Sequence, residues 1–283
     1  LIITWFKQTL KEGWREMSRD SIGFTFIVSA TLCVVCSILV SGAAVGLRSK
    51  QELNKEIERK KNILSVAGLI QPGDNAKNVM KIYDERVEGI IVDLDSGKVV
   101  TDDKELFPNP AEYDQKAAID NPKLSTAIEP SKDIAGIKRR ENYSWVYLIN
   151  DENGQLTQYV LPVRGKGLWS TMWGFLALQT DLTTVQGLTF YEQGETPGLG
   201  GEVDNPKWKA QWKGKEVYNK DFQPDIEVIK GSVNPESPNA EHEVDGLSGA
   251  TITSRGVTHL LDFWLGDLGF KPYLEQVREK EGK

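Results

Sequence analysis

Cysteine is nearly absent: there are two in 283 residues, Cys33 and Cys36. Both lie inside an apolar run, so the chain beyond that run can hold no disulfide and no cysteine-ligated cluster. Their C-x-x-C spacing is that of a redox pair or half a zinc site. With no charge nearby to stabilise a thiolate, two small apolar packing residues are expected instead. Histidine is as scarce. His242 and His259 have no metal-ligand spacing, and no metal site is expected. There is no G-x-S-x-G elbow and no Walker A motif, nor a G-x-G-x-x-G fingerprint for a dinucleotide. Positive charge is not in excess either. With 34 Lys and Arg against 41 Asp and Glu the net charge is -7, the wrong sign for a nucleic-acid surface. Disorder is excluded by a hydrophobic content of 39% with 27% charged residues, an ordinary globular balance.

One long stretch has no charge at all, from Ser21 to Leu47. Its core, residues 22–46, exceeds the roughly 20 apolar residues that span a bilayer as a helix. It is too long for an ordinary secretory h-region, so an uncleaved anchor is the expectation. Cleavage near Ser41, Gly42, Ala43 and Ala44 is the alternative. Small residues such as Ser29, Ala30, Ser37, Ser41 and Gly42 suit close packing on other membrane helices. Residues 1–21 carry Lys7, Lys11, Arg15 and Arg19 among apolar residues at near-helical spacing, as an interfacial helix or a short tail would. Arg48, Lys50, Lys55, Arg59, Lys60 and Lys61 lie on the other flank. The charge count therefore leans slightly toward a cytoplasmic domain.

The remainder reads as α+β with a mostly antiparallel sheet and flanking helices. Residues 47–140 form a membrane-proximal helical and β region, and 141–283 the core domain. A helix leaves the membrane over 48–68 and ends at Gln71-Pro72-Gly73. A short helix follows at about 75–83. VEGIIVDLDSGKVVT reads as a hairpin turning at Asp95-Ser96-Gly97, and 102–139 as a polar surface excursion. A second hairpin turns at Asp151-Glu152-Asn153-Gly154. Strands are expected at 173–179, 185–193 and 225–231, and a helix over 206–217. Val257, Leu260, Leu261 and Trp264 mark an amphipathic helix after residue 251, and PYLEQVREK a last one.

Three stretches could carry chemistry. The first is Asp245-Gly246-Leu247-Ser248-Gly249-Ala250-Thr251-Ile252-Thr253-Ser254. Its glycines permit tight turns and its hydroxyls precede a helix, whose exposed N–H groups suit a phosphate. An ordinary capped helix start is the plainer reading. The second is the four-glycine loop Tyr191–Glu202, shaped for close approach. In the third, Arg164-Gly165-Lys166-Gly167-Leu168-Trp169, Leu168 and Trp169 could cover a planar ring, and Lys166 or Arg164 could hold an anion. Each of the last two is also compatible with plain turn chemistry.

Taken together, these motifs resemble the FMN-binding domains that hold their cofactor by a phosphoester to threonine. Asp245–Thr251 is similar to the flavinylation motif, and Gly165–Trp169 and Glu195–Gly200 to the domain's other signatures. With one N-terminal span, the whole chain resembles the C-subunit family of the bacterial sodium-translocating NADH:quinone oxidoreductase. The resemblance implies covalent FMN on Thr251. It also implies a flavin transferase that installs it from FAD with magnesium and recognises Asp245. Ser248, Gly249 and Ala250 would shape the backbone at the phosphate, with Thr253 and Ser254 adding bonds. Gly167, Leu168, Trp169, Thr196 and Leu199 would frame the ring. The chain would then be an electron-relay subunit of a six-subunit NADH:quinone reductase, unable to oxidise NADH alone, with its domain in the periplasm. That placement runs against the charge count, but long domains translocate largely regardless of flanking charge. The G-subunit of the Rnf electron-transport complex, which shares anchor, domain and threonine bond, is the neighbouring alternative. Two others are a lone extracellular reductase and a tethered interaction module without cofactor.

Overall fold

The computed structural model describes residues 22–71 and 73–282. The expected interfacial segment, 1–21, lies outside them, as does Pro72 of the expected helix end. In chain order the elements are α1 (Ile22–Val66), α2 (Ala76–Arg86), β1 (Val87–Asp93), α3 (Gln115–Ala118), β2 (Ser125–Ala127), β3 (Arg139–Glu141), β4 (Tyr143–Asn150), β5 (Leu156–Lys166), β6 (Thr171–Gln179), β7 (Val185–Glu192), α4 (Pro206–Ala210), β8 (Glu227–Val228), β9 (Glu243–Val244), α5 (Thr251–Leu265) and α6 (Lys271–Glu281). Two compact units divide at Glu56/Ile57.

The span and the helix leaving it are one continuous element, α1, of 45 residues. No proline interrupts it, and Arg48 with Glu52 at 3.0 Å supports its charged middle. Its uncharged stretch is long and apolar enough to cross a membrane and is not buried against described residues. Among the described residues, the first unit holds that stretch and the start of the charged part.

In the second unit, five strands form one antiparallel sheet in the order β1-β4-β5-β6-β7. The β4–β5 hairpin turns at 151–154, where the Asp151 carboxylate accepts from the amides of Asn153 and Gln155 and Gly154 takes φ +78°. β5 and β6 are apolar in near-continuous runs because both sheet faces are covered. α5 packs on one face through Leu260, Leu261 and Trp264. On the other face, Tyr147 and Phe175 are covered by Ile63 and Val66 at the end of α1 and by Ala67 just past it.

Several elements differ from the sequence reading. The turn at 95–97 forms, but its second arm is only a bridge between Val92 and Val99. The helix expected over 206–217 ends at Ala210, because the indole of Trp208 is drawn onto Asp245 O at 2.8 Å and Gly214 (φ +82°) turns the chain. The strand expected at 225–231 shrinks to β8, paired in parallel with β9. The 102–139 excursion is tied down rather than loose. Tyr113 OH donates to Tyr143 O and Gln115 Nε2 to the Glu141 carboxylate, both at 2.7 Å, and just past its end buried Arg140 donates to Leu268 O at 2.7 Å and to the Asp95 carboxylate. The boundary drawn at 140/141 falls within one sheet, since β1 pairs with β4 along its whole length.

Candidate functional site

The site begins where α5 begins. Ala250 occupies the N-cap position and has no oxygen to offer, so no side chain caps the first-turn N–H groups of Thr251, Ile252 and Thr253. Those groups and the helix dipole favour an anion there. The approach is shaped by Gly249, at φ +72°, where a side chain would be strained and its Cβ would lie 3.0 Å from the Leu199 side chain. Thr251 is exposed at the first helical position and Ser248 is exposed on the loop before it, whereas Thr253 and Ser254 are buried. Ser254 Oγ accepts from Leu247 N at 3.0 Å and so closes the loop. Asp245 does the same further out, its carboxylate accepting from Val233 N at 2.7 Å.

The three sequence stretches meet at one carboxylate. Glu195, 5% exposed, accepts from the amides of Leu168 (3.1 Å), Trp169 (2.9 Å) and Ser170 (3.0 Å). It also accepts from the hydroxyls of Ser170 (3.2 Å) and Thr253 (2.7 Å). Burial pushes its pKa up, but the bonds from Thr253, Trp169, Ser170 and Leu168 outweigh that and hold it below the ordinary carboxylate range. Two glycines leave it room. A Cβ on Gly167 would lie 2.6 Å from Glu195 Oε1, and one on Gly200 would lie 2.6 Å from Thr253 Oγ1. Around this centre, Leu168, Trp169, Leu199 and Ile252 are exposed apolar side chains. An uncapped helix start flanked by such groups fits a phosphorylated planar ligand.

All twelve residues singled out from the sequence belong to these three stretches. Thr251, Ser248, Thr196, Leu168, Trp169 and Leu199 are exposed. Thr253 is placed differently from the expectation of a further phosphate bond, because its hydroxyl is committed to Glu195. The suggested anion holders are also occupied: Arg164 is buried against Glu141 at 2.7 Å, and Lys166 Nζ donates to Trp169 O at 3.3 Å.

Sequence reasoning passed over two features. Glu195 was visible as the head of its glycine loop, but nothing in the sequence showed what it would bond. The other is a cleft of about 970 Å³ that starts at the 245–251 stretch and runs along α5 past Arg255, Thr258, His259 and Asp262, opposite residues 224–232. The signal was the i, i+4, i+7, i+8, i+11 spacing from Thr251. In the cleft, burial with Glu227 and Asp225 nearby pushes the Asp262 carboxyl up to about 6.

Comparison with known proteins places these features in a class: residues 167–266 match the family described as FMN-binding domain. Curated relatives are more specific. The Na(+)-translocating NADH-quinone reductase C-subunit from Pseudomonas aeruginosa is 48% identical, over 93% of this chain and 99% of its own length. Its counterpart from Yersinia pestis is 46% identical, over 94% of this chain and 96% of its own length. The crystal structure of NqrC from Shewanella oneidensis superposes with a TM-score of 0.71 at 35% identity, covering 80% of this chain and 99% of that one. The chain belongs to the NqrC family, the C-subunits of Na(+)-translocating NADH-quinone reductase, and it carries that family's FMN-binding domain.

Proposed function

We propose that this chain is an electron-relay subunit of the reductase complex, holding FMN by a phosphoester to Thr251. The observation that carries the reading is the single exposed threonine at the uncapped start of α5. Bound FMN supplies one-electron redox chemistry, and the polypeptide's part is to hold, orient and shield it. Thr251 Oγ1 provides the tether. The uncapped amides of Thr251, Ile252 and Thr253 would hold the phosphate, and the turn at Ser248, Gly249 and Ala250 leaves them accessible. Leu168, Trp169, Thr196 and Leu199 would flank the ring and limit water at its sides. A tether at the phosphate leaves the ring free to meet donor and acceptor in turn. Gly167 and Ser254 support the loops on either side, and Asp245, tied to Val233, presents the motif to a flavin transferase.

The relatives are each one subunit of a sodium-translocating NADH-quinone reductase, so the partners here are that complex's other subunits. The uncharged stretch of α1 anchors the chain in the inner membrane, with the FMN domain in the periplasm. Protease added to spheroplasts should then remove the domain, and complete protection would reverse the orientation.

Peptide mapping of the purified chain tests the attachment. The peptide holding Thr251 should be heavier by about 440 Da, the mass of FMN less water. Thr251→Ala should abolish that addition while leaving the fold intact, since an exposed first-turn substitution costs within about 0.5 kcal/mol. Covalent flavin retained by Thr251→Ala would move the tether elsewhere. A colourless, unmodified chain from cells with an active transferase would favour the tethered interaction module instead.

A further inference from the structure

We propose that Glu195 is the positioning residue of the flavin site: it assembles the three loops before flavin arrives and keeps a negative charge in the wall of the finished site. The second half rests on the reading above, that Thr251 carries the flavin. The first half does not.

The argument starts from the bonds. One side chain joins the β5–β6 loop, through three consecutive amides and the Ser170 hydroxyl, to the first turn of α5, through Thr253. Ser170 Oγ in turn accepts from Gly194 N at 2.7 Å, which ties in the third loop. Leu168 and Trp169 are exposed, so packing does not hold them; besides the Gly167 N to Ser170 O turn bond at 2.8 Å and Lys166 Nζ on Trp169 O, their amides are held on Glu195. Consecutive N–H groups turned inward onto a buried anion are a demanding backbone arrangement. The absent Cβ atoms at Gly167 and Gly200 are explained by that same carboxylate and its threonine partner.

Both carboxylate oxygens are needed. Oε1 accepts from two amides and Oε2 from a third. A glutamine has one acceptor oxygen. Either orientation therefore aims its NH2 group at a backbone N–H, and the loop must open. A charge so held also opposes added negative charge nearby, so removing it should make bound flavin easier to reduce.

Two measurements on the full chain test this. In a flavin-free Thr251→Val background, Glu195→Gln should speed amide hydrogen exchange at Leu168, Trp169 and Ser170 at least tenfold. Glu195→Asp, which keeps the charge one methylene shorter, should fall between. In the flavin-loaded chain, Glu195→Gln should raise the midpoint potential, a tenfold change in the one-electron equilibrium being about 59 mV. A role in folding alone would slow or prevent recovery of protein without moving that potential. Unchanged exchange would overturn the assembly claim, and an unchanged or lower potential in loaded Glu195→Gln would overturn the charge claim. If Glu195→Gln yields no folded protein, Glu195→Asp decides by the same exchange readout. Should the wild-type chain carry no flavin at Thr251, the flavin reading fails and exchange alone judges the assembly.

Discussion

Burial separates the hydroxyls of the 245–254 stretch into two kinds. Thr253 and Ser254 face inward and spend their oxygens on Glu195 and Leu247, while Thr251 and Ser248 face outward. If the proposed attachment holds, the preference for Thr251 over Thr253 and Ser254 would follow from the side of α5 each occupies. The same helix carries Asp262 into the cleft, where burial, then Glu227 and Asp225, raise its carboxyl from 3.8 to about 6. A raised acid pKa makes protonation favour the folded state. That added stability is complete below about 3.8 and is lost as the pH rises through about 6. At neutral pH the charged carboxylate is a liability. The full shift corresponds to roughly 3 kcal/mol, and partial exposure reduces it to about 1–2 kcal/mol. Asp262→Asn should therefore be more stable than the parent by that amount at pH 7.5 and no different near pH 4, as read from denaturant midpoints. An equal gain at both pH values would assign the effect to something other than titration.

At the scale of elements, the site depends on how closely α5 lies on β5. A Cβ on Gly256 would stand 2.5 Å from Lys166 O, and one on Gly165 would stand 2.4 Å from Leu260 Cβ. Alanine at a helix glycine gains about 1 kcal/mol of helix propensity. Here the neighbour is backbone of the loop-bearing strand, and overpacking costs about 1–3 kcal/mol. Gly256→Ala should therefore lower stability, by about 1 kcal/mol net, and slow FMN incorporation, measured as covalent flavin per chain. A stabilised, fully loaded variant would show that α5 has room to move. α5 was legible in advance because its core residues recur with helical period, and the β4–β5 hairpin because Asn153-Gly154 permits little else. The 206–217 segment was not. Its composition suits a helix, but Trp208 and Trp212 are pulled into the core from either side of a turn, and that tertiary demand is invisible locally. The site shows the same limit: the three loops announced themselves by their glycines, and the carboxylate that joins them did not, because its partners come from two other, distant parts of the chain.

For the molecule as a whole, α1 is one helix with two environments. Its uncharged portion is exposed, whereas Ile63 and Leu64 near its end are 0% exposed in the core of the second unit. A sequence boundary drawn where charge begins misses this, because hydropathy marks where a membrane could end and not where a core begins. The two environments separate by truncation. A chain lacking residues 1–50 keeps the whole compact unit that starts at Ile57. It should be soluble without detergent, unfold cooperatively and accept FMN at Thr251, while the full chain stays in the membrane fraction. Removing residues 1–68 instead takes away Ile63, Leu64 and Val66, which cover one face of the sheet or pack beside it. Each buried aliphatic side chain contributes about 1.5–3 kcal/mol, so the loss approaches the roughly 5–15 kcal/mol that holds a domain together. That shorter chain should aggregate or bind hydrophobic dyes, and it should not load flavin. If it folds and loads as well as the longer one, the end of α1 is only a linker, and the sheet's second face is stable without it.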